Sequence, residues 1–378
     1  MKLDGIRVLD LSQYLPGPHL TMTMADHGAD VIMVEPKNGV GEPVRAMGTR
    51  AADGTAVWFR NIARGKRSIV LDLKDASDRN AFLALADEAD VIVEAFRPGV
   101  VTRLGIGYAA IAARNPRVVY CSISAFGQSG PWVQKPSHDL GVQALAGTLA
   151  LSRAFVDGKP NMPNLVAADM AASLTALSAI LMALLGRERT GKGDHIDIAM
   201  YDSLLAWTPN VTGSVLGEDK SPDPPIMRNY GGQAMNRIYE TKDGQFLVLA
   251  GNEPKFCETL LRALGRLDLL DLAKGEPGPS QAPLTAFLAE LFATRTRAEW
   301  EAFLSPLDLC WAPVRSLRDA FADDNAAARA MLLRDGDGYP HIGPAIKFAS
   351  EPARPRFDLP PYAPGQGMSW KNRGVKAS

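Results

Sequence analysis

Cysteine is scarce in this chain of 378 residues: Cys121, Cys257 and Cys310 stand far apart and in no metal-ligand spacing. That leaves no disulfide framework and no metal site to expect. It fits a reduced, cytoplasmic compartment in which the thiols fill the core. An excess of charge of either sign is also lacking. Lys and Arg number 41, Asp and Glu 42, so no global field draws the chain to nucleic acid or to an anionic membrane. Any anion binding must come from a local cluster. The start, MKLDGIRVLDLSQ, has no long apolar run, and no secretory leader is expected. The most apolar stretch, NLVAADMAASLTALSAILMALLG, is interrupted by Ser173, Thr175 and Ser178. It is expected to be too short for a membrane span.

What is present reads as an α/β protein. IRVLDLS, DVIMVEP, SIVLDLK, DVIVEAF and VVYCSISAFG are short, apolar and rich in β-branched residues. Helix-like stretches lie between them: HLTMTMADHGA, ASDRNAFLALADEA and YAAIAARNP. Strand–helix alternation predicts a mostly parallel sheet with helices on both faces, to which HIDIAMYDS adds a further strand and helix. The length exceeds what one core usually supports, so two lobes are expected. After about Trp207 the composition changes. GEDKSPDPPIMRNYGG is a loop, and NRIYETKDGQFLVLAG predicts a hairpin around Lys242-Asp243-Gly244. KFCETLLRALG and PLTAFLAELFATRTRAEWEAFL follow as helices of a smaller α+β lobe, and the Pro-rich tail EPARPRFDLPPYAPGQG as an extended segment.

Two motif matches fail on context. Gly105-Ile-Gly107-Tyr-Ala-Ala110 fits a dinucleotide fingerprint but follows no clear strand. Gly186 to Gly193 resembles a phosphate loop but ends in glycine where Ser or Thr would bind magnesium; it reads as a helix end with a glycine stop. His19, His27, His195 and His341 read as structural. His138 differs, because in FGQSGPWVQKPSHDLGVQALAG a strand gives way through a Gly/Pro loop to a helix, the place where parallel sheets hold ligands. Asp139 beside it reads as a cap of the next helix. Asp169 stands at the mouth of an apolar stripe formed by Met170, Leu174, Leu177, Leu181 and Leu184. From the residues alone it is either that helix's N-cap or a catalytic carboxylate against an apolar wall. Glu253 follows an apolar strand and precedes Pro254, so it too is either a helix end or a functional acid. Arg60, Arg64, Lys66, Arg67, Arg97 and Arg103 cluster early, near strand ends, and are candidates for the phosphates of a large anionic ligand.

Taken together, LDGIRVLDLS…GPHLTMTMADHGADVIMVEP, RGKRSIVLDLK, DVIVEAFRPGV, RLGIGY, NPRVVYCSISAFGQSGP, LLGRERTGKGDHIDIAMYDS, YETKDGQF and WAPVRSLRDAF resemble the class III CoA-transferases and the related α-methylacyl-CoA racemases, the CaiB/BaiF type. The resemblance implies a large Rossmann-like CoA-binding domain over residues 1–210, a small α+β domain over 225–330, and a segment 331–378 that returns to the large domain. It also implies an interlocked homodimer. Asp169 matches the family's catalytic aspartate, and His138 and Glu253 stand where the racemases carry the second base and the acid that orients it. Arg60, Arg64, Lys66, Arg97 and Arg103 would hold CoA. The substrate would be an acyl-CoA thioester, with no bound cofactor, metal, nucleic acid or membrane. The small-domain stretch LAGNEPKFCE lacks the glycine run of formyl-CoA-type transferases. This favours proton transfer at the thioester α-carbon, with CoA transfer through an aspartyl intermediate as the alternative.

Overall fold

The β-branched apolar runs of the first half form the strands of one six-stranded sheet in which every pairing is parallel. The structure, a computed structural model, describes residues 1–152 and 158–371. The chain divides between two units. The first takes Met1–Ala146, Pro163–Trp207 and the chain from Asp324; the second takes Gly147–Met162 and Thr208–Asp323. The stretch 147–162, inside the expected large domain, therefore groups with the second unit.

In the first unit, β1 (Arg7–Leu11), β2 (Asp30–Pro36), β3 (Arg67–Leu71), β4 (Val91–Glu94), β5 (Val119–Ser124) and β6 (Asp194–Ala199) pair in the order β3-β2-β1-β4-β5-β6. The connecting helices are α1 (Pro16–Asp26), α2 (Val57–Ala63), α3 (Ala76–Ala86), α4 (Val100–Arg103), α5 (Tyr108–Arg114) and α6 (Asp139–Leu145). After them come α7 (Thr148–Leu151, in the second unit), α8 (Ala167–Thr190) and α9 (Met200–Ala206). Strand residues alternate between two cores. Val8, Val31, Val91, Val119 and Cys121 pack with α1 and α8. Leu9, Ile32, Ile69, Ile92 and Tyr120 pack with Phe82, Leu85 and Ile111. Each such fully buried side chain contributes roughly 1.5–3 kcal/mol. The order reverses between β1 and β4, and that switch point leaves a crevice at the carboxyl ends of the strands.

Helix α8 corrects two expectations. At 24 residues it is long and apolar enough to cross a membrane by length and composition, so it is not too short. One of its faces nonetheless belongs to the core of the first unit. That face is also not the leucine stripe. Ala168, Ala172, Ala176, Leu177, Ile180 and Leu184 are buried, whereas Leu174 and Leu181 are more than 40% exposed. Small alanines let the helix approach the sheet closely, and the bulkier leucines turn away. The helix ends as expected: Gly191, left-handed at φ 70°, donates its N–H to the Arg187 carbonyl at 2.8 Å.

In the second unit the Lys-Asp-Gly turn joins β7 (Asn236–Glu240) to β8 (Phe246–Ala250), which pairs with β9 (Trp311–Pro313). After α10 (Gly213–Glu218) come α11 (Pro254–Ala263), α12 (Leu270–Ala273), α13 (Ala282–Phe292) and α14 (Arg297–Leu304). The run expected as one helical stretch divides at Thr296, which forms a capping box with Glu299 and starts α14 afresh. Trp300 and Phe292 centre the core.

Candidate active site

The crevice at the β1/β4 switch point contains a cavity of about 370 Å³, and every residue lining it belongs to the first unit. Gln13, Tyr14 and Pro16 come from the β1–α1 loop, and Ala95 to Pro98 from the end of β4. Ser124 to Phe126 come from the end of β5. Lys135 to His138 come from the loop before α6, and Asp169 from the first turn of α8. The fold thus brings His138, Asp169 and Arg97 to one cavity, as strand-end positions would. Among the described residues no group of three His, Cys, Asp or Glu side chains is placed to share a metal ion.

The capping question at α8 resolves against Asp169. Its N-cap residue is Val166, with no side-chain cap. The free N–H groups of the first turn are met from outside by Asp139, whose Oδ1 accepts from Ala168 N–H at 2.8 Å and Asp169 N–H at 3.2 Å. Asp139 was expected to cap its own helix α6. It is the first residue of that helix, and it serves α8 instead while accepting from Gln143 Nε2 at 2.6 Å. The Asp169 carboxylate is left without a hydrogen-bond partner among the described residues. Burial, with the Asp139 charge adding to it, pushes the Asp169 carboxyl up to about 7. A carboxylic acid is thereby poised to gain or lose a proton near neutrality. His138 occupies the N-cap position of α6 without a capping bond. It is exposed, with the Tyr14 ring edge-on to it at a centroid separation of 6.0 Å.

The expected cations separate into two kinds. Arg60 pairs with Asp53 and, at 3.2 Å, with Asp335. Arg64 grips Asp26 through Nε at 3.1 Å and a second nitrogen at 2.6 Å, and donates to the Ile342 carbonyl at 2.6 Å. Lys66 donates to Asp10 at 3.0 Å and to the Pro18 carbonyl at 2.8 Å. All three are buried; the terminal nitrogens of Arg60, the Arg64 guanidinium and the Lys66 ammonium are bonded to internal acceptors, and the Arg60 Nε is buried without a partner, so in this structure they do not present phosphate-binding groups. Arg97 is exposed on the cavity wall; Arg103 is exposed on α4 but does not line the cavity. Lys135, which the sequence reading missed, joins Arg97 on the wall. The signal was its place three residues before His138 in the same strand-end loop. Tyr14 was missed as well. Glu253 lies in the second unit at the N-cap position of α11, without a side-chain cap bond, and is exposed.

Residues 3–366 match CoA-transferase family III. The chain is 33% identical to acetyl-CoA:oxalate CoA-transferase of Acetobacter aceti, over 96% of this chain and 91% of that protein. It is 32% identical to the alpha-methylacyl-CoA racemase of Homo sapiens, over 96% and 90% respectively. Among solved structures, a CaiB/BaiF family protein from Brucella suis superposes with a TM-score of 0.77, at 30% identity and 96% coverage of both chains.

Proposed function

The chain belongs to CoA-transferase family III, an enzyme family of CoA-transferases and acyl-CoA racemases, and on that premise we propose that it moves a proton between the two faces of the α-carbon of a 2-methylacyl-CoA. The observation that carries this reading is Asp169: a carboxyl held near pH 7 by burial, with no hydrogen bond committed, in one cavity with His138. One of the two bases takes the α-proton, and the electron pair of that C–H bond passes to the thioester oxygen as an enolate. The other returns a proton to the opposite face, and the enolate collapses to the thioester. Glu253 of a partner copy would orient His138 in an interlocked homodimer. The exposed apolar face of α8, with Leu174, Leu181, Met182 and Leu185, supports a covering partner. Arg97, with Lys135 beside it, would hold a CoA phosphate. The compartment would be cytoplasmic, with no resident cofactor.

The second reading is CoA transfer, with Asp169 as nucleophile passing through a mixed anhydride and an aspartyl-CoA thioester. The 33% identity to acetyl-CoA:oxalate CoA-transferase favours it. Hydroxylamine separates the two. Under proton transfer, enzyme incubated with acyl-CoA and a free carboxylic acid yields no Asp169 hydroxamate and no CoA on the acid. A trapped Asp169 adduct together with the new thioester would replace the first reading by the second. Light scattering at low micromolar concentration should report a dimer; an active monomer would exclude the interlocked arrangement.

A further inference from the structure

Tyr14 holds a left-handed backbone at φ 67°, one of three non-glycine residues to do so among those described, with Asp219 and Ala330. A side chain bearing a Cβ adopts that conformation only when its surroundings impose it. Here the imposing group is identifiable. The Tyr14 N–H donates to Glu42 Oε1 at 2.9 Å. Glu42 is 1% exposed and stands on a firm base. Its own N–H donates to Glu35 Oε2 at 2.7 Å, and Glu35 is gripped by Arg45 through two nitrogens at 2.8 and 2.7 Å. The twisted backbone turns the Tyr14 ring into the cavity, edge-on to the His138 imidazole at an interplanar angle of 77°. No other ring packs against the His138 imidazole, and neither of its ring nitrogens has a hydrogen-bond partner among the described residues.

We infer that Tyr14 is a positioning residue for His138, and that the Glu42 carboxylate is the latch that holds Tyr14 in place. This rests on the role proposed for His138, and it deepens that role by supplying what fixes the imidazole from within the same chain. The strain is then part of the site: a relaxed backbone at residue 14 would swing the ring away from the imidazole.

The test uses the full-length enzyme and reads the His138 ring itself. The Cε1–Hε1 resonance of His138 is assigned among five histidines by its loss in His138→Asn. Tyr14→Ala and Glu42→Ala should each move that resonance. The double variant should match Tyr14→Ala alone, since both act through one ring. Where α-proton exchange is measured, each should lower kcat by about tenfold with KM within about twofold, the pattern of a misplaced catalytic group. Glu42→Gln keeps the accepting oxygen and should restore the parent resonance. Tyr14→Gly accepts the left-handed backbone without strain. It should raise the melting temperature while moving the resonance as Tyr14→Ala does, and it carries the test if Glu42→Ala fails to fold. An unmoved His138 resonance in Tyr14→Gly, or additive shifts in the double variant, would overturn the inference. Resonances that move as stated in an enzyme that exchanges no α-proton would uphold the positioning and reject the proposed reaction.

Discussion

The region around α2 and β3 and the rim of the cavity both carry cations that stand close together in the sequence, yet they use them in opposite ways. Around α2 and β3 each candidate charge meets a counter-charge of the first unit: Arg64 meets the buried Asp26 and Lys66 the buried Asp10, while Arg60 meets Asp335 and Arg67 meets Asp30, both half-buried. At the rim, Arg97 and Lys135 make no ion pair, and the Asp169 carboxylate and the His138 imidazole have no hydrogen-bond partner, among the described residues. The first region spends its charges on holding the unit together. The second leaves its charges open to a ligand. Residue type alone does not separate the two; what does is whether an acid from elsewhere arrives.

That contrast makes graded predictions. The largest effect should fall at the open carboxylate: Asp169→Ala should lower turnover by roughly 10²–10⁴-fold, the scale of a lost general acid–base, with little change in stability. Steady-state kinetics and thermal melting on the same preparation check both halves. Next comes the closed region. Removing Arg64 strands Asp26 in the core and should destabilise the first unit by about 3–5 kcal/mol, visible as an early denaturation step, while the surviving folded enzyme keeps its affinity for CoA. A weakened affinity with unchanged melting would erase the distinction between the regions. Third, Arg97→Ala should weaken CoA about ten- to a hundred-fold in titration calorimetry, because a charge-assisted phosphate contact contributes roughly 1.5–3 kcal/mol. Equal affinities would remove Arg97 from the site.

The smallest effect is a pH-dependent stability. The Asp169 carboxyl titrates near 7 in the folded protein against about 3.9 unfolded, so between those values the folded state binds the extra proton. Stability contributed by this group is full below about pH 4 and falls as pH rises towards 7. Asp169→Asn escapes that loss. The variant should melt higher than the parent at pH 8, by a margin on the order of 1 kcal/mol after solvent screening, and the margin should vanish near pH 4. A margin independent of pH would mean that the carboxyl is not raised.

Much of this was legible in the sequence. The six strands announce themselves as short β-branched runs, the hairpin by its Lys-Asp-Gly turn, and the cavity by loops such as SHD at strand ends. The missing parts depend on long-range partners. Nothing near Arg64 predicts Asp26, and nothing near Asp169 shows that Asp139 will cap its helix and free its carboxylate. The leucine stripe of α8 misled because a helix buries the face that fits, and here the alanines allow closer approach than the leucines. Tyr14 was invisible because a left-handed tyrosine is imposed by Glu42, not by its neighbours in the chain.

The central claim is that the open acid and imidazole pass a proton across the α-carbon. The direct measurement is to incubate one enantiomer of a 2-methylacyl-CoA with the enzyme in heavy water, without any free acid, and to follow deuterium at the α-carbon together with configuration. Proton transfer predicts deuterium uptake accompanied by racemisation, lost in Asp169→Ala and confined to one face in His138→Ala. An α-carbon that keeps both its hydrogen and its configuration, in an enzyme that transfers CoA once an acid is added, would contradict it.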